Sequence, residues 1–150
     1  MIIKVHEDSV YYTIAWSKVY PFDKYSASRI IPELAGLLYF TRQWDDRDGK
    51  PLFIYGCWRD GLRMGFKLLF DPMFSKLPGI AHSLLEAPLF FKFTVVDTTP
   101  MDLKDVMSNL ISRYRPDFNS ADYAPSNRFS AVYVKETKMR EGDVSGRVRF

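Results

Sequence analysis

The sequence predicts an α+β protein of one domain, in which a small mixed β-sheet is flanked by helices. Three observations predict this class. At 150 residues, the chain has the length of one domain and can bury a hydrophobic core. Hydrophobic residues make up 47% of the chain and charged residues 26%, which is typical of soluble globular proteins. The predicted elements follow a mixed order of two strands, a helix, a hairpin, one or two helices, a strand, a helix and a strand.

The first predicted elements are two strands and a short helix. β-branched and aromatic residues favour strands over residues 2–5 and 10–16, and a polar turn separates them. Asp23 is placed to cap a helix over residues 24–31. Pro32 ends that helix, because the residue before a proline disfavours helical backbone angles.

A hairpin is predicted next, with strands over residues 37–41 and 51–57. The Asp48-Gly49 pair between them is a strong signal for a tight turn. The same loop is acidic, but a calcium loop of the EF-hand type needs a glutamate at its twelfth position. Counting from Asp46 places Cys57 there, so the loop is interpreted as a solvated hairpin tip.

Helices and strands alternate in the second half of the chain. Residues 60–70 are predicted to form a helix because apolar residues recur there at helical spacing. A longer amphipathic helix begins near Pro100 and stops before Pro116. The remaining elements are a short helix over residues 80–86, a buried strand over 89–96, a last strand over 129–135 and a charged, solvated tail over 136–150.

Composition excludes several classes of function. No apolar run approaches the roughly 20 residues that span a bilayer, and the amino terminus becomes charged too soon for a secretory signal. The single cysteine, Cys57, excludes an internal disulfide framework and is predicted to be a buried thiol. His6 and His82 have no partners at metal-ligand spacing. A reducing, cytoplasmic location is the simplest interpretation.

Two distant segments contain motifs in a familiar order. Residues 31–40 and 51–56 contain Gly36 followed by aliphatic and aromatic residues, and then an aromatic strand that ends at Gly56. Residues 109–119 contain a Leu-Ile pair and a Pro-x-x-Asn ending. This order resembles the GIY-YIG nuclease family of small metal-dependent DNA-cutting domains, such as the amino-terminal nuclease domain of bacterial excision-repair nucleases. The resemblance covers about residues 32–119 and implies a GIY-YIG-like domain with additional strands at both ends.

The tyrosines that the resemblance implies are displaced. The two family positions are occupied by Leu38 and Ile54, whereas Tyr39 and Tyr55 each lie one residue later. In a strand, one residue is a change of face. Either both tyrosines point away from the expected site, or a bulge restores them to it.

The other implied site residues lie on or after helices. Arg63 fits the family's arginine, with Arg59 as a rival, and Asn119 fits its asparagine. Alternatively, Asn119 only ends the helix. The glutamate that binds the divalent cation in the family falls on Met107. A thioether is no substitute for the oxygen ligands that Mg²⁺ prefers, so the sequence favours a domain that is not an enzyme and has no metal site.

Basic residues suggest a binding surface. The net charge of +3 and the pI of about 8.9 permit nucleic-acid binding without requiring it. A basic stripe is predicted on the helix over residues 60–70, because Arg59, Arg63 and Lys67 are spaced four apart. Arg113 and Arg115 are expected to assist this stripe in binding nucleic acid. The alternative is an ordinary solvated helix face.

Three functions follow as hypotheses. The leading one is a catalytically impaired GIY-YIG-like domain that binds nucleic acid, with DNA favoured and no membrane partner. The second is an atypical active endonuclease that uses Mg²⁺ or Mn²⁺, in which Tyr39 or Tyr55, Arg63 and Asn119 form the site with an acid from elsewhere in the fold. The third is a protein-interaction module without a nucleic-acid role.

Overall fold

Seven strands and four helices are formed within residues 1–25, 27–44 and 50–140, the part of the chain that the computed structural model describes. The strands are β1 (Ile2–His6), β2 (Ser9–Trp16), β3 (Tyr20–Pro21), β4 (Gly36–Thr41), β5 (Phe53–Cys57), β6 (Phe90–Val95) and β7 (Ala131–Lys138). The helices are α1 (Ala27–Ile30), α2 (Gly61–Leu69), α3 (Pro78–Leu84) and α4 (Pro100–Tyr114). The α+β class is confirmed, although the strands form two small sheets instead of one.

Several boundaries differ from the sequence-based prediction. The helix predicted over residues 24–31 is reduced to α1, and the two-residue strand β3 was not predicted. A solvated tail starting at residue 136 is wrong for residues 136–138, because β7 pairs with β2 as far as Trp16 and Lys138. The predicted hairpin tip at residues 45–49 and the tail beyond residue 140 lie outside the described residues.

The larger sheet has the strand order β3-β6-β4-β5, and its neighbouring strands are antiparallel. Its central strand, β4, is buried along its whole length because both faces of the sheet are covered. Leu38 and Phe40 point to one face and pack in a hydrophobic cluster with α2. Leu37 and Tyr39 point to the other face and pack in a second cluster with α4. The two helices therefore lie on opposite faces of this sheet.

Gly36 begins β4 at a place with no room for a side chain. A Cβ atom there would overlap the backbone carbonyl oxygen of Thr94 on β6 and lie 3.0 Å from Cδ1 of Leu62 on α2. Glycine is required here because the backbone of the neighbouring strand occupies the volume that any other residue needs.

The smaller sheet has the order β1-β2-β7 and joins distant parts of the chain. β1 and β2 form an antiparallel hairpin, and β2 runs parallel to β7 from the Ser9–Ala131 pair to the Trp16–Lys138 pair. The inner face of β2 is buried against α4 in the second hydrophobic cluster. The two sheets meet where the Ser17 N–H donates to the Phe93 carbonyl oxygen at 2.8 Å.

A buried polar network fixes the segment before β7 to the start of α4. One Arg128 nitrogen donates to Asp102 at 3.0 Å and to Asp105 at 2.9 Å. Asp102 also accepts from the Tyr12 hydroxyl at 2.7 Å, and Asp105 accepts from the backbone N–H and the hydroxyl of Ser126. The two carboxylates are 7% and 1% exposed, so charge pairing and hydrogen bonds replace the water that they have lost.

The pKa of Asp102 reports the balance within this network. Burial opposes ionisation, but hydrogen bonds from Thr98, Tyr12, Arg128 and Thr99 outweigh it, so the pKa of Asp102 is lowered. A lowered folded-state pKa means that this carboxylate stabilises the fold above its unfolded-state pKa, about 3.9. That contribution is lost as the pH falls through the folded-state value.

Helix α4 has a well-formed start and a strained end. The Thr99 hydroxyl caps the amino terminus by accepting from the Asp102 N–H at 3.0 Å. The last turn ends at Arg115, whose φ of 47° lies in the left-handed region that disfavours residues with a Cβ.

Replacing Arg115 with glycine is expected to stabilise the protein by about 0.5–1 kcal/mol, because glycine adopts this backbone conformation without a Cβ penalty. The Arg115→Ala variant is the matched control, since it removes the same charge but keeps a Cβ. It should not be stabilised. Urea unfolding of the three proteins measures the difference, and equal stability of the Gly and Ala variants would contradict the prediction.

Candidate functional site

Met107 occupies the position where the resemblance expects a metal-binding glutamate. It lies on the face of α4 that covers β5. A Cβ added to Gly56 would lie 3.0 Å from the Met107 sulfur and 3.8 Å from Leu103. The side chain is half-buried and packs against the second hydrophobic cluster. The expected carboxylate position is therefore an apolar contact between α4 and the strand that ends at Gly56.

The two candidate tyrosines lie on opposite faces of the larger sheet. The pairing of β4 with β5 is continuous from Gly36–Cys57 to Phe40–Phe53, so no bulge shifts either residue. Tyr39 packs with the α4 cluster, and Tyr55 packs with the α2 cluster. The alternative in which a bulge restores both tyrosines to one site is thereby ruled out.

The side chains of Tyr39 and Tyr55 have different surroundings. The Tyr39 ring is 7% exposed, makes edge contacts with Trp16 and Tyr114, and has the Lys92 ammonium 4.5 Å from its centroid. Tyr55 is half-buried, and burial is the main cause that raises the pKa of its hydroxyl. A tyrosine hydroxyl is ordinarily protonated at neutral pH, and burial moves the pKa of Tyr55 further from that range.

Arg63 holds the segment before β4. Its Nε donates to the Ile31 carbonyl oxygen at 2.8 Å, and one terminal nitrogen donates to a Glu33 carboxylate oxygen at 2.9 Å. The Arg63 backbone N–H also donates to the Pro32 carbonyl oxygen. Glu33 is the carboxylate that the fold brings to Arg63, and its side chain is 79% exposed.

Asn119 clamps the outer edge of β5. Its side-chain oxygen accepts from the Ile54 N–H and its side-chain nitrogen donates to the Ile54 carbonyl oxygen, both at 2.8 Å. In the part of the chain that the structure describes, β5 is the last strand on this side of the larger sheet, so the amide satisfies Ile54 backbone groups that are not paired with a strand. Asn119 thus orders the second strand of the implied motif, beyond any role in ending α4.

Replacing Asn119 with alanine is expected to lower the free energy of unfolding by about 1–3 kcal/mol, because two buried backbone groups of Ile54 lose their partner. In Asn119→Asp, the carboxylate faces the Ile54 carbonyl oxygen, so we expect a loss at pH 7 that shrinks near pH 4 as the acid gains a proton. Urea unfolding at both pH values measures this. An unchanged midpoint in Asn119→Ala would contradict the clamp.

The predicted basic residues are divided between the two helices. Arg59 is exposed just before α2, and Lys67 is exposed on that helix. Arg113 and Arg115 lie at the end of α4, on the opposite face of the sheet. Arg113 forms an ion pair with Glu136 at 2.6 Å. These four residues and Arg63 therefore do not lie on one continuous surface.

Lysines and an exposed tyrosine surround a pocket beside α2. The pocket has a volume of about 230 Å³ and is lined by Lys24, Tyr25, Phe66, Lys67, Phe70 and Asp71. Tyr25 is 83% exposed, so its ring is available at the rim. Lys24 adds a second cation near Lys67 that helical spacing within α2 does not reveal.

Sequence reasoning missed a cluster around Glu136. Its carboxylate accepts from the Trp16 indole at 2.8 Å and from the Tyr114 hydroxyl and Arg113 at 2.6 Å each. Burial and the hydrogen bond to Glu136, offset in part by Arg113, raise the pKa of Tyr114 to about 12. All these donors converge on one carboxylate, so the cluster joins β7 to α4 and β2.

Two further predictions concern titratable groups. Cys57 is buried, as predicted, and burial raises the pKa of its thiol to about 12. Within residues 1–25, 27–44 and 50–140, no three His, Cys, Asp or Glu side chains are grouped so that they could hold a metal ion.

No helix within residues 1–25, 27–44 and 50–140 is both long and apolar enough to cross a membrane.

Comparison with known proteins gives one match. No curated protein and no solved structure matches the sequence. A family with the description "Uncharacterised protein" matches residues 1–143, which is well over half of the chain and includes both sheets. The chain therefore belongs to this family of uncharacterised proteins.

Proposed function

We propose that this protein is a GIY-YIG-like domain that has lost metal-dependent cutting and acts by binding nucleic acid, with DNA favoured, through the exposed face of α2. The observation that carries the proposal is the packing of Met107 against Gly56. This contact brings two of the motif positions together and places a thioether where the resemblance implies the metal-binding glutamate.

The order and pairing of the elements support the GIY-YIG-like part. The resemblance implies two strands, a helix, a third strand and a helix, and β4, β5, α2, β6 and α4 follow this order with α3 as an additional helix before β6. Gly36 and Gly56 both sit where another element approaches closely, and Asn119 holds the strand that contains Gly56. These contacts give a physical reason for each retained motif residue.

The environments of the remaining site residues support the loss of cutting. Mg²⁺ prefers oxygen ligands, and it acts in phosphate hydrolysis by neutralising charge or activating water. Met107 has no oxygen to offer, Tyr39 and Tyr55 lie on opposite faces, and Arg63 is bound to Ile31 and Glu33. The residues that would have to act together are therefore kept apart.

The charges beside α2 support binding to phosphates. Arg59 and Lys67 are exposed, and Lys24 and Tyr25 border the same pocket as Lys67. Most hydrogen bonds from proteins to nucleic acid go to its phosphates and sugars, and lysine and arginine are among the donors. An exposed aromatic ring adds a surface on which a base can stack. Asp71 also lines the pocket, so the proposed surface is basic without being uniformly so.

Binding of end-labelled duplex DNA tests the proposal. We expect the intact chain to bind without cutting the DNA in Mg²⁺ or Mn²⁺. The Arg59→Gln/Lys67→Gln variant should show a slope of log affinity against log salt that is smaller by about 2, since each lost phosphate contact removes about 0.9. Fluorescence anisotropy across a salt series measures the slope, and a denaturing gel measures cutting.

The Lys104→Gln/Arg115→Gln variant is the matched control, because it removes the same charge from the α4 side of the molecule. Its slope should equal that of the unaltered chain. An equal loss of slope in both variants would indicate a net-charge effect and would overturn the α2 surface.

An active nuclease is the alternative, and the contact between Glu33 and Arg63 is the observation that favours it. In that case, cutting in Mg²⁺ would be lost in both Arg63→Ala and Glu33→Gln. Metal-dependent cutting that survives in the unaltered chain and disappears in these variants would replace the leading proposal.

A further inference from the structure

The outer face of the smaller sheet is partly exposed among the described residues and has a distinct composition. In β1, β2 and β7, the residues whose side chains point away from α4 share a face by register. They are Ile2, Lys4, His6, Ser9, Tyr11, Thr13, Ala15, Ala131, Tyr133, Lys135 and Thr137. The set contains two lysines, a histidine, two tyrosines and no carboxylate, so its own charge is positive. At one end of the face, the Glu7 carboxylate of the adjoining turn lies 3.9 Å from His6.

Two tyrosines form the centre of this outer face. Tyr11 and Tyr133 are directly paired across β2 and β7, and their rings stack with centroids 4.8 Å apart and planes 11° apart. The side chains remain open to solvent, since Tyr11 is 44% exposed and Tyr133 is 51% exposed. Cross-strand pairing fixes both rings in position, so a flat ligand meets a platform that is already ordered.

Lysines border the tyrosine pair at the spacing that the sheet imposes. Lys4 on β1 pairs with Tyr11, so Lys4, Tyr11 and Tyr133 form one row across the three strands. Lys135 lies two residues after Tyr133 and points to the same face. β7 is the outer strand on its side of this sheet among the described residues, so no strand covers the side of Tyr133 away from Tyr11.

We propose that the outer face of β1, β2 and β7 binds single-stranded nucleic acid, with bases stacked on the Tyr11–Tyr133 pair and phosphates at Lys4 and Lys135. Stacking on aromatic rings beside cations is how proteins hold single strands, whose bases are unpaired and accessible. A duplex presents its phosphates but keeps its base faces covered, so it cannot use the rings.

Charge distinguishes this occupant from a second copy of the chain. Two copies of this face would bring like charges together, because the set contains lysines and no carboxylate. A polyanion with exposed rings complements both the charge and the aromatic pair. The inference adds to the proposed function a second surface on a different part of the fold, and the two can fail separately.

Fluorescence anisotropy with a labelled single-stranded 12-mer and a matched duplex tests the inference. Tyr11→Leu/Tyr133→Leu should weaken single-strand binding at least tenfold, because each base stacked on an aromatic ring contributes substantially to affinity. Tyr11→Phe/Tyr133→Phe keeps both rings and should bind within about twofold of the unaltered chain. Lys4→Gln/Lys135→Gln should reduce the single-strand salt slope by about 1.4, at about 0.7 per contact.

The outcomes separate this inference from the proposed function. Loss of single-strand binding in the leucine variant, with duplex binding intact, supports the inference. Equal single-strand binding by the leucine variant and the unaltered chain overturns it, and so does binding of an acidic protein on this face in place of the 12-mer. If the duplex binds through Arg59 and Lys67 but the 12-mer does not bind, the inference fails and the proposed function stands. Thermal unfolding of each variant verifies that the sheet is retained.

Discussion

Replacing Gly36 with alanine is expected to lower the free energy of unfolding by about 3 kcal/mol or more, which corresponds to a melting temperature lower by roughly 6–12 °C. The added methyl group would overlap the Thr94 carbonyl oxygen and press on Leu62. Neither neighbour can yield easily. Thr94 lies in a strand that is paired with β4, and both residues are completely buried.

Gly79→Ala is the matched control for this change. Gly79 lies in α3, and a Cβ there would meet no atom within 4 Å. Alanine is also the better helix former, so this variant should be unchanged or more stable by up to about 1 kcal/mol. Differential scanning calorimetry of the two variants checks the contrast. Equal melting temperatures for Gly36→Ala and the unaltered chain would show that the strands can separate at this point.

Replacing Arg128 with methionine is expected to destabilise the protein by about 3–5 kcal/mol at pH 7.5, because it leaves two buried carboxylates without their shared cation. Asp102 and Asp105 both receive a hydrogen bond from one Arg128 nitrogen. Methionine retains much of the apolar stem, so lost packing contributes little to the expected change.

The effect of pH tests the electrostatic cause. Without Arg128, Asp102 loses one of the hydrogen bonds that favour its ionised form while burial still opposes ionisation, so the folded-state pKa of Asp102 rises. The folded variant then binds more protons than the folded unaltered chain, and its stability relative to the unaltered chain recovers as the pH falls from 7.5 towards 4.5. Urea unfolding at both pH values measures the recovery. A deficit that does not change with pH would assign the loss to packing.

Lys104→Met is the control for the second change. Lys104 is exposed on α4, between the two aspartates in sequence, and points away from the network. Its replacement removes the same charge and should change the free energy of unfolding by no more than about 0.5 kcal/mol.

Local patterns were sufficient to predict the helices and the larger sheet's central strands. The apolar spacing in α2 and α4 is regular, and proline and glycine mark their ends. β3 was missed because a two-residue strand has no periodicity to detect. The separation into two sheets was missed because it depends on which strands pair, and β2 finds its parallel partner 122 positions later in the sequence.

The candidate site was predictable as a set of residues but not as a geometry. Sequence left the direction of Tyr39 and Tyr55 open, and the unbroken pairing of β4 with β5 assigns them to opposite faces. Asn119 bonds to backbone atoms of Ile54, and Arg63 bonds to the Ile31 carbonyl oxygen and the Glu33 carboxylate. These are pairings between distant segments that carry no signal in the sequence. Glu136 was assigned to a charged tail, since only the parallel strand reveals that Trp16 and Tyr114 surround it.

The parallel pairing of β2 with β7 also has a consequence for synthesis. At about 5–20 residues per second, the 122 positions from Ser9 to Ala131 take roughly 6–24 s to translate. During that interval, the larger sheet and α4 can assemble, whereas β2 has its hairpin with β1 and its contacts with α4 but not its parallel partner. The backbone edge of β2 that later pairs with β7 is then open to other nascent chains or to chaperones. The fold is therefore completed in a late step, when Ser126 bonds to Asp105 of α4 and β7 pairs with β2.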